Sequence, residues 1–384
     1  MVKPERIAPA IHLHRVRLDS VQQSFGSASP MGGLRSGGTD PDLFLFAARE
    51  PQELAAVTTR FARGAACWTP SQMAVAARES VCQSRHGGPW RAAVLASDTT
   101  ALEQKLLAVS DLACRGQVVH EEPVWLGPSE APARIGFLFS GTSPMRPGGG
   151  RWADRFRETQ HLLSQPALHR FKEVDHGCTA LEHGWAAVAA LSALAVLERC
   201  NLTAHAAVSA NKGDLAALTW AGAIDQDDTL PLALAREKQE IFRLALANAA
   251  FDEPLKPLHL AATGEALSPG CDLRRLLMEP PRGTAGLGRA LETADADLWI
   301  EVGAGDASAQ RVSDHGRAAV ATGALGTSVS GILAALATAF VLGAPVNAAA
   351  LYEDRRLPDD DPWEQAGLRN GGQGTPGVPE LRQA

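Results

Sequence analysis

The stretch HAAVSANKGDLAALTWAGAI, residues 205–224, runs from a short apolar strand through a tight turn into a helix. That order is one in which an enzyme can hold a nucleophile on a strained turn, with small residues permitting close backbone approach. The turn carries Ser209, Ala210, Asn211, Lys212, Gly213 and Asp214. Covalent acyl transfer needs an oxygen or sulfur nucleophile that a neighbouring base can activate, and the carboxamide of Asn211 is not one. Asn211 therefore reads as a turn residue, chosen because asparagine tolerates left-handed backbone angles. Ser209, two residues earlier, is the alternative hydroxyl. His259, in the run PLHLAAT, reads as a hydrogen-bonded strand histidine, so no serine is paired with a histidine.

Other chemistry-bearing patterns are weaker. Six cysteines are scattered without CxxC spacing, which indicates neither a zinc site nor a disulfide framework and makes reduced thiols in a cytoplasmic protein the expectation. Glu121 and Glu122, after His120, read as a solvated pair. WIEVGAGDASA resembles the first motif of methyltransferases that use a nucleotide methyl donor, but too little sheet follows it. GTSVSG at 326–331 has the wrong spacing for a nucleophile turn, and no Walker or dinucleotide-binding pattern occurs. No metal and no cofactor is implied.

These residues must be positioned by a chain of 384 residues that is 45% hydrophobic and 21% charged, enough for two or three packed units. A net charge of −7 without a Lys/Arg run argues against a nucleic-acid face or a membrane-surface anchor. The start MVKPERIAPAIHLHRVRLDS lacks the unbroken apolar stretch of a signal peptide. Ala318 to Tyr352 holds no charged residue, yet its glycines and Pro345 divide it into a short strand at 318–321 and a helix over 330–342 too short to span a bilayer.

Residues 1–41 and 366–384 read as a flexible leader and tail. Between them, 42–126 predicts a small α/β unit: a strand at LFLFAA, helices at EPQELAAVTTRFARGAA and PSQMAVAARESVCQ, a strand at WRAAVLAS, and a helix capped by Asp98. The Pro-containing stretch VWLGPSEAPAR is expected to separate it from a second unit over 134–365. There, strands at IGFLFS, HAAVS, PLHLAAT, DLWIEVG and AAVATGA alternate with helices. Such alternation predicts an α/β, three-layer architecture with a mostly parallel sheet.

The segment from Thr179 to Arg236 resembles the acyltransferase domains of polyketide and fatty-acid synthases, in which an apolar helix precedes GHSxGE, then LAAxxxAG, then a helix bearing an arginine. GHSxGE is matched by residues 209–214, so Asn211 stands at the serine position. GFLFSGTSPMRPGGG is similar to FxFPGQGSQxxGMG, with Thr142 at the oxyanion-region glutamine. The QPA triplet falls on His183-Gly184-Trp185. PLHLAATGEAL resembles PVxSxxTG, DLWIEVGAGD resembles FxEVGP, and ILAALATAFVLGAPVNAAALY resembles the closing helix before VDW. LFLFAAREPQEL resembles the start of the linker domain that joins a ketosynthase to an acyltransferase.

The resemblance implies an α/β-hydrolase-like large subdomain preceded by that linker domain. It also implies a missing ferredoxin-like small subdomain, which in the family carries the catalytic histidine, since only residues 237–256 fill its place. Thr142, His183, Ala210, Lys212 and Arg236 are then the substrate-facing candidates. Arg236 falls where the family receives a malonyl-type carboxylate, a task suited to a planar guanidinium; otherwise it is an exposed helix arginine beside Glu240. The expected function is a catalytically degenerate scaffold or docking component of a polyketide or fatty-acid-type synthase, with a ketosynthase and an acyl-carrier protein as partners and an acyl thioester as ligand. The alternatives are a diverged acyltransferase or thioester hydrolase using Ser209, and a non-functional remnant.

Overall fold

The computed structural model describes residues 40–85, 87–142, 150–166, 168, 179–236, 238–279, 283–355, 357 and 362–365. The expected leader, apart from Asp40 and Pro41, and the expected tail lie outside them.

Strands β1 (Asp42–Ala48), β2 (Trp90–Ala96), β3 (Val119–Glu121) and β4 (Val124–Pro128) form an antiparallel sheet in the order β1-β2-β4-β3. Leu43, Phe44, Leu45 and Phe46 are all buried, so β1 is covered on both faces and reads as a continuous apolar run. The helix Pro51–Ala65 starts with proline in its first turn and buries Leu54, Thr58, Phe61 and Ala65 at helical spacing. The helix Pro70–Ser84 is closed by a capping box between Thr69 and Gln72. The helix Thr99–Cys114 is capped as expected, with the Ala101 amide donating to Asp98 over 2.7 Å. The stretch VWLGP is a correction to the sequence reading. It is strand β4, hydrogen-bonded between β2 and β3 with Ala93 opposite Trp125, which leaves residues 129–134 of VWLGPSEAPAR between the two sheets. Glycine and proline at its end mask a strand whose Trp125 and Leu126 are buried.

Strands β5 (Ile135–Phe139), β6 (Ala206–Ser209), β7 (Leu258–Leu260), β8 (Leu298–Glu301) and β9 (Ala318–Ala321) form a second, wholly parallel sheet in the order β7-β6-β5-β8-β9. Helices cover both faces. Ala207 and Leu258 belong to the large core that includes the helix Thr179–Arg199, whereas Ala206 and Val208 pack in a smaller cluster with the helices Leu287–Ala294 and Ala307–Asp314. The fold is α/β with three layers around a parallel sheet. The chain leaves β5 to one side through β6 and β7 and then crosses to β8 and β9 on the other. The carboxyl end of β5 is therefore the topological switch point, where open parallel sheets leave a crevice for ligands.

The uncharged segment after Ala318 is interior. Its helix, Ser330–Val341, touches β2 and β4 of the first sheet and β9 of the second. Arg91 of β2 donates to the Phe340 carbonyl at 2.8 Å and lies over the Phe340 ring, satisfying the helix's last turn. Among the described residues no helix is long and apolar enough to cross a membrane.

The last described segment, Pro362–Gln365, returns to the first unit. The Trp363 ring stands edge-on to Phe61 at 4.8 Å and to Trp68 at 5.1 Å, and Trp68 Nε1 donates to the Pro362 carbonyl. Trp363→Ala should lower unfolding free energy by about 3 kcal/mol, the cost of emptying a buried aromatic site. Urea denaturation followed by far-ultraviolet circular dichroism measures this, and a loss below about 1 kcal/mol would mean that the segment is not part of the core.

Candidate functional site

The ladder between β5 and β6 continues one residue past the strand, with the Ala210 amide donating to the Phe139 carbonyl over 2.8 Å. The chain then makes a 3-10 turn, Asn211–Gly213, and enters the helix Asp214–Trp220. Such a turn is right-handed, so the left-handed backbone expected of Asn211 is not built. Space here is set by two glycines facing each other. A β-carbon on Gly213 would lie 2.1 Å from the Phe139 carbonyl oxygen, and one on Gly141, at φ +65°, would lie 2.2 Å from the Lys212 carbonyl carbon. The end of β5 and the turn after β6 meet backbone to backbone at the switch point.

Below this contact lies a chain of polar groups. Ser209, buried at the end of β6, donates through Oγ to Asp214 Oδ1. Asp214 Oδ2 lies 3.6 Å from Arg236 Nη2, on the residue that ends the helix Gln226–Ala235. Burial pushes the Asp214 carboxyl above its ordinary value, while the Ser209 hydroxyl and the Arg236 guanidinium pull it back. The Arg236 side chain is 8% exposed, its plane lies over the Phe242 ring at 5.7 Å, and its Nη1 is buried without a partner. The expectation of an exposed helix arginine beside Glu240 is thus overturned: the arginine is drawn inward by a carboxylate of its own chain.

Around this chain Gly141, His183, Lys212, Gly213 and Arg236 line a pocket with about 10 Å³ open to water, room for one water molecule. Its wall is closed by Ala186, Ala187 and Ala190 of the helix Thr179–Arg199, and that helix packs closely on the arginine helix because Gly184 meets Leu234. Lys212 is held at the rim by Glu182 at 3.1 Å, a solvated pair that contributes little.

Of the candidates, His183, Lys212 and Arg236 therefore converge on one pocket. Thr142 follows Gly141 but is turned aside. Its hydroxyl is 3.0 Å from Ser140 Oγ, and it packs against Gly305 after β8. Ala210, expected to face substrate, is a correction: it is buried with Leu138, Val208 and Ala261 in the cluster on the opposite face of the sheet. His259 pairs in register with Val208, and successive strand residues alternate faces, so His259 and Ser209 sit on opposite sides. The reading of His259 as hydrogen-bonded is also corrected, because its Nδ1 is buried without a partner and burial holds the ring below the usual imidazole value. Ser209 and His259 therefore form no pair. Glu121 is exposed, but burial raises the Glu122 carboxyl above its ordinary value against the pull of Lys105, so the two are not an equally solvated pair. Among the described residues no group of three potential metal ligands is assembled.

The sequence reading missed Glu301. It is fully buried at the end of β8, accepts from Ser140 Oγ at 2.5 Å and from the Ala309 amide at 2.8 Å, and so ties β5 to the start of the helix Ala307–Asp314. An acid within the apolar run LWIEV, without a nearby basic residue in sequence, was the available signal.

No sequence-family profile and no curated protein matches the chain. Among solved structures, it is similar to the acyltransferase domain of the iterative polyketide synthase in enediyne biosynthesis, with a TM-score of 0.66 at 20% identity over 82% of this chain and 100% of that one. The acyl transferase domain of ZmaA gives 0.67 at 12% identity, over 84% and 99%. The acyltransferase domain from module 8 of the salinomycin polyketide synthase gives 0.56 at 17% identity, over 81% and 98%. The chain has the acyltransferase-domain fold. At the switch point of this fold the end of β5 and the turn after β6 meet directly, with Asp214 and Arg236 beside them.

Two outcomes follow. Removing one partner of a fully buried ion pair costs about 3–5 kcal/mol. Asp214 is 24% exposed and its proton affinity is already raised, so it escapes part of that cost by protonation. Arg236→Ala should therefore lower stability by about 1–2 kcal/mol at neutral pH and by less at pH 5, where Asp214 is more readily neutral. A loss below about 0.5 kcal/mol in urea titrations at both values would restore the surface-arginine reading.

Burial likewise lifts the Glu301 carboxyl above its ordinary value, against the opposing hydrogen bonds from Ser140 and Ala309. A folded-state value above the unfolded one means that ionisation opposes folding. The penalty grows as pH rises from about 4.3, the unfolded-state glutamate value, through the raised folded value, and is constant beyond. Glu301→Gln should remove this loss and flatten the stability profile between about pH 4 and 7 relative to wild type. Parallel profiles for the two proteins would show that Glu301 ionises freely.

Proposed function

We propose that the chain is a catalytically silent acyltransferase-fold protein that serves as a scaffold or docking component of a polyketide or fatty-acid-type synthase. In this reading residues 42–126 correspond to the linker that precedes an acyltransferase, and 134–365 to its large subdomain with the small subdomain reduced to the interval 237–256. The partners are a ketosynthase and an acyl-carrier protein.

The observation that carries the reading is the occupied cleft. Asp214 stands 3.6 Å from Arg236 Nη2, where an incoming carboxylate would have to compete with it, and the space that Gly141, His183, Lys212 and Arg236 line among the described residues holds about one water. Ser209 is 3% exposed and already gives its hydroxyl proton to Asp214, which speaks against the alternative of a hydrolase built on that residue. The Asn211 carboxamide is no nucleophile, and His259, on the face opposite Ser209, cannot serve that serine as a base. A silent site leaves surface complementarity as what a synthase can use.

Incubation with malonyl- or acetyl-coenzyme A should leave the intact mass of the protein unchanged, and Asn211→Ser should stay unacylated because the base is missing as well. The unmodified chain should co-elute with a ketosynthase or a holo-acyl-carrier protein in size-exclusion chromatography. A stable acyl adduct on the wild-type chain would sink the proposal, and so would failure to associate with either partner.

A further inference from the structure

The described residues leave five large hydrophobic side chains exposed, and three of them, Ile241, Leu244 and Leu255, fall within fifteen residues of one another. Ile241 and Leu244 lie on the helix Gln239–Asn248, which buries Phe242 and Leu246 against the body and presents Ile241, at 50% exposure, and Leu244, at 66%, to solvent. Their three-residue spacing puts them on one face, continued by exposed Ala247 and Asn248 one turn on. Contiguous outward apolar residues of this kind mark interaction surfaces.

The flanking charges point to a second copy of the same chain as the occupant. Glu240 and Arg243 are exposed, and neither has an ion-pair partner among the described residues. Consider two such helices packed antiparallel about a twofold axis midway between Ile241 and Leu244. Ile241 of one copy then meets Leu244 of the other. With a rise of about 1.5 Å per residue, Glu240 lies within about 3 Å along the axis of Arg243 on the other helix. A twofold axis perpendicular to both helices keeps each flank on its own side, so Glu240 and Arg243 of opposite copies share a flank, and the symmetry makes the contact twice. An acid and a base three residues apart beside an apolar pair are self-complementary in this arrangement, as an isologous interface requires.

We infer that the helix Gln239–Asn248 is a homodimerisation surface, held by Ile241 and Leu244 and set in register by reciprocal Glu240–Arg243 pairs. One helix face is a small interface, so the dimer is weak and concentration-dependent. The inference is independent of the proposed synthase role.

Sedimentation velocity of the full chain should show a monomer–dimer equilibrium with a dissociation constant on the order of 10–100 µM. Leu244→Glu should raise it by more than about tenfold while leaving the thermal melt unchanged, since Leu244 faces outward. Glu240→Arg should weaken association by about threefold or more through two like-charge contacts, and the double exchange Glu240→Arg with Arg243→Glu should restore the wild-type constant to within about twofold. A wild-type chain that remains monomeric to about 500 µM overturns the inference, as do a Leu244→Glu protein that sediments like wild type and a double exchange as weak as the single one.

Discussion

The helix Ser330–Val341 is the element to which both sheets are fastened. It lies against β2 and β4 on one side and β9 on the other, so no face is left for a charged residue. A helix buried all round has no amphipathic stripe, and its length is limited by the depth of the body it crosses. Its position fixes the antiparallel sheet relative to the parallel one, and through the parallel sheet it fixes where the ends of β5, β6 and β8 meet. Arg91 and the Ala133 amide supply polar ties at the helix's carboxyl end.

At the switch point the framework brings backbone and charged groups together in a small space. The paired glycines at 141 and 213 preserve a backbone approach too close for any side chain. Into the space beside it the chain has turned Asp214, which engages Ser209 on one oxygen and Arg236 on the other. A cation that would otherwise require a ligand is balanced internally, and the surrounding alanines close the volume. Burying such a pair is at best a modest source of stability; what the arrangement does is engage one side of the Arg236 guanidinium within the protein while its Nη1 stays without a partner.

Local chemistry was legible in the sequence to the extent that it depended on neighbours in the chain. The helix start at Asp98, the parallel alternation after Ile135, and the division of the apolar segment after Ala318 all follow from patterns a few residues long. Strand β4 was lost because Gly127 and Pro128 carry turn propensity that the sheet overrides by pairing Arg91 with Gly127. Asn211 was readable as a non-nucleophile from its functional group alone. The burial of Arg236 was not, since it depends on Asp214, twenty-two residues earlier, and on Phe242 in the next helix. Likewise the opposite facing of Ser209 and His259 is set by the register between β6 and β7, which no single segment encodes.

The pairing of groups so far apart in the chain has a consequence for biosynthesis. Trp68 and its acceptor at Pro362 are 294 residues apart. A ribosome adding about 5–20 residues per second presents the aromatic pair Phe61–Trp68 roughly 15–60 s before Trp363 exists to cover it. The sheet of the first unit can assemble in that interval, but the aromatic surface around Phe61 and Trp68 stays wet and adhesive until residue 363 has been made. The nascent chain therefore carries a timed vulnerability at that surface which the folded protein no longer displays.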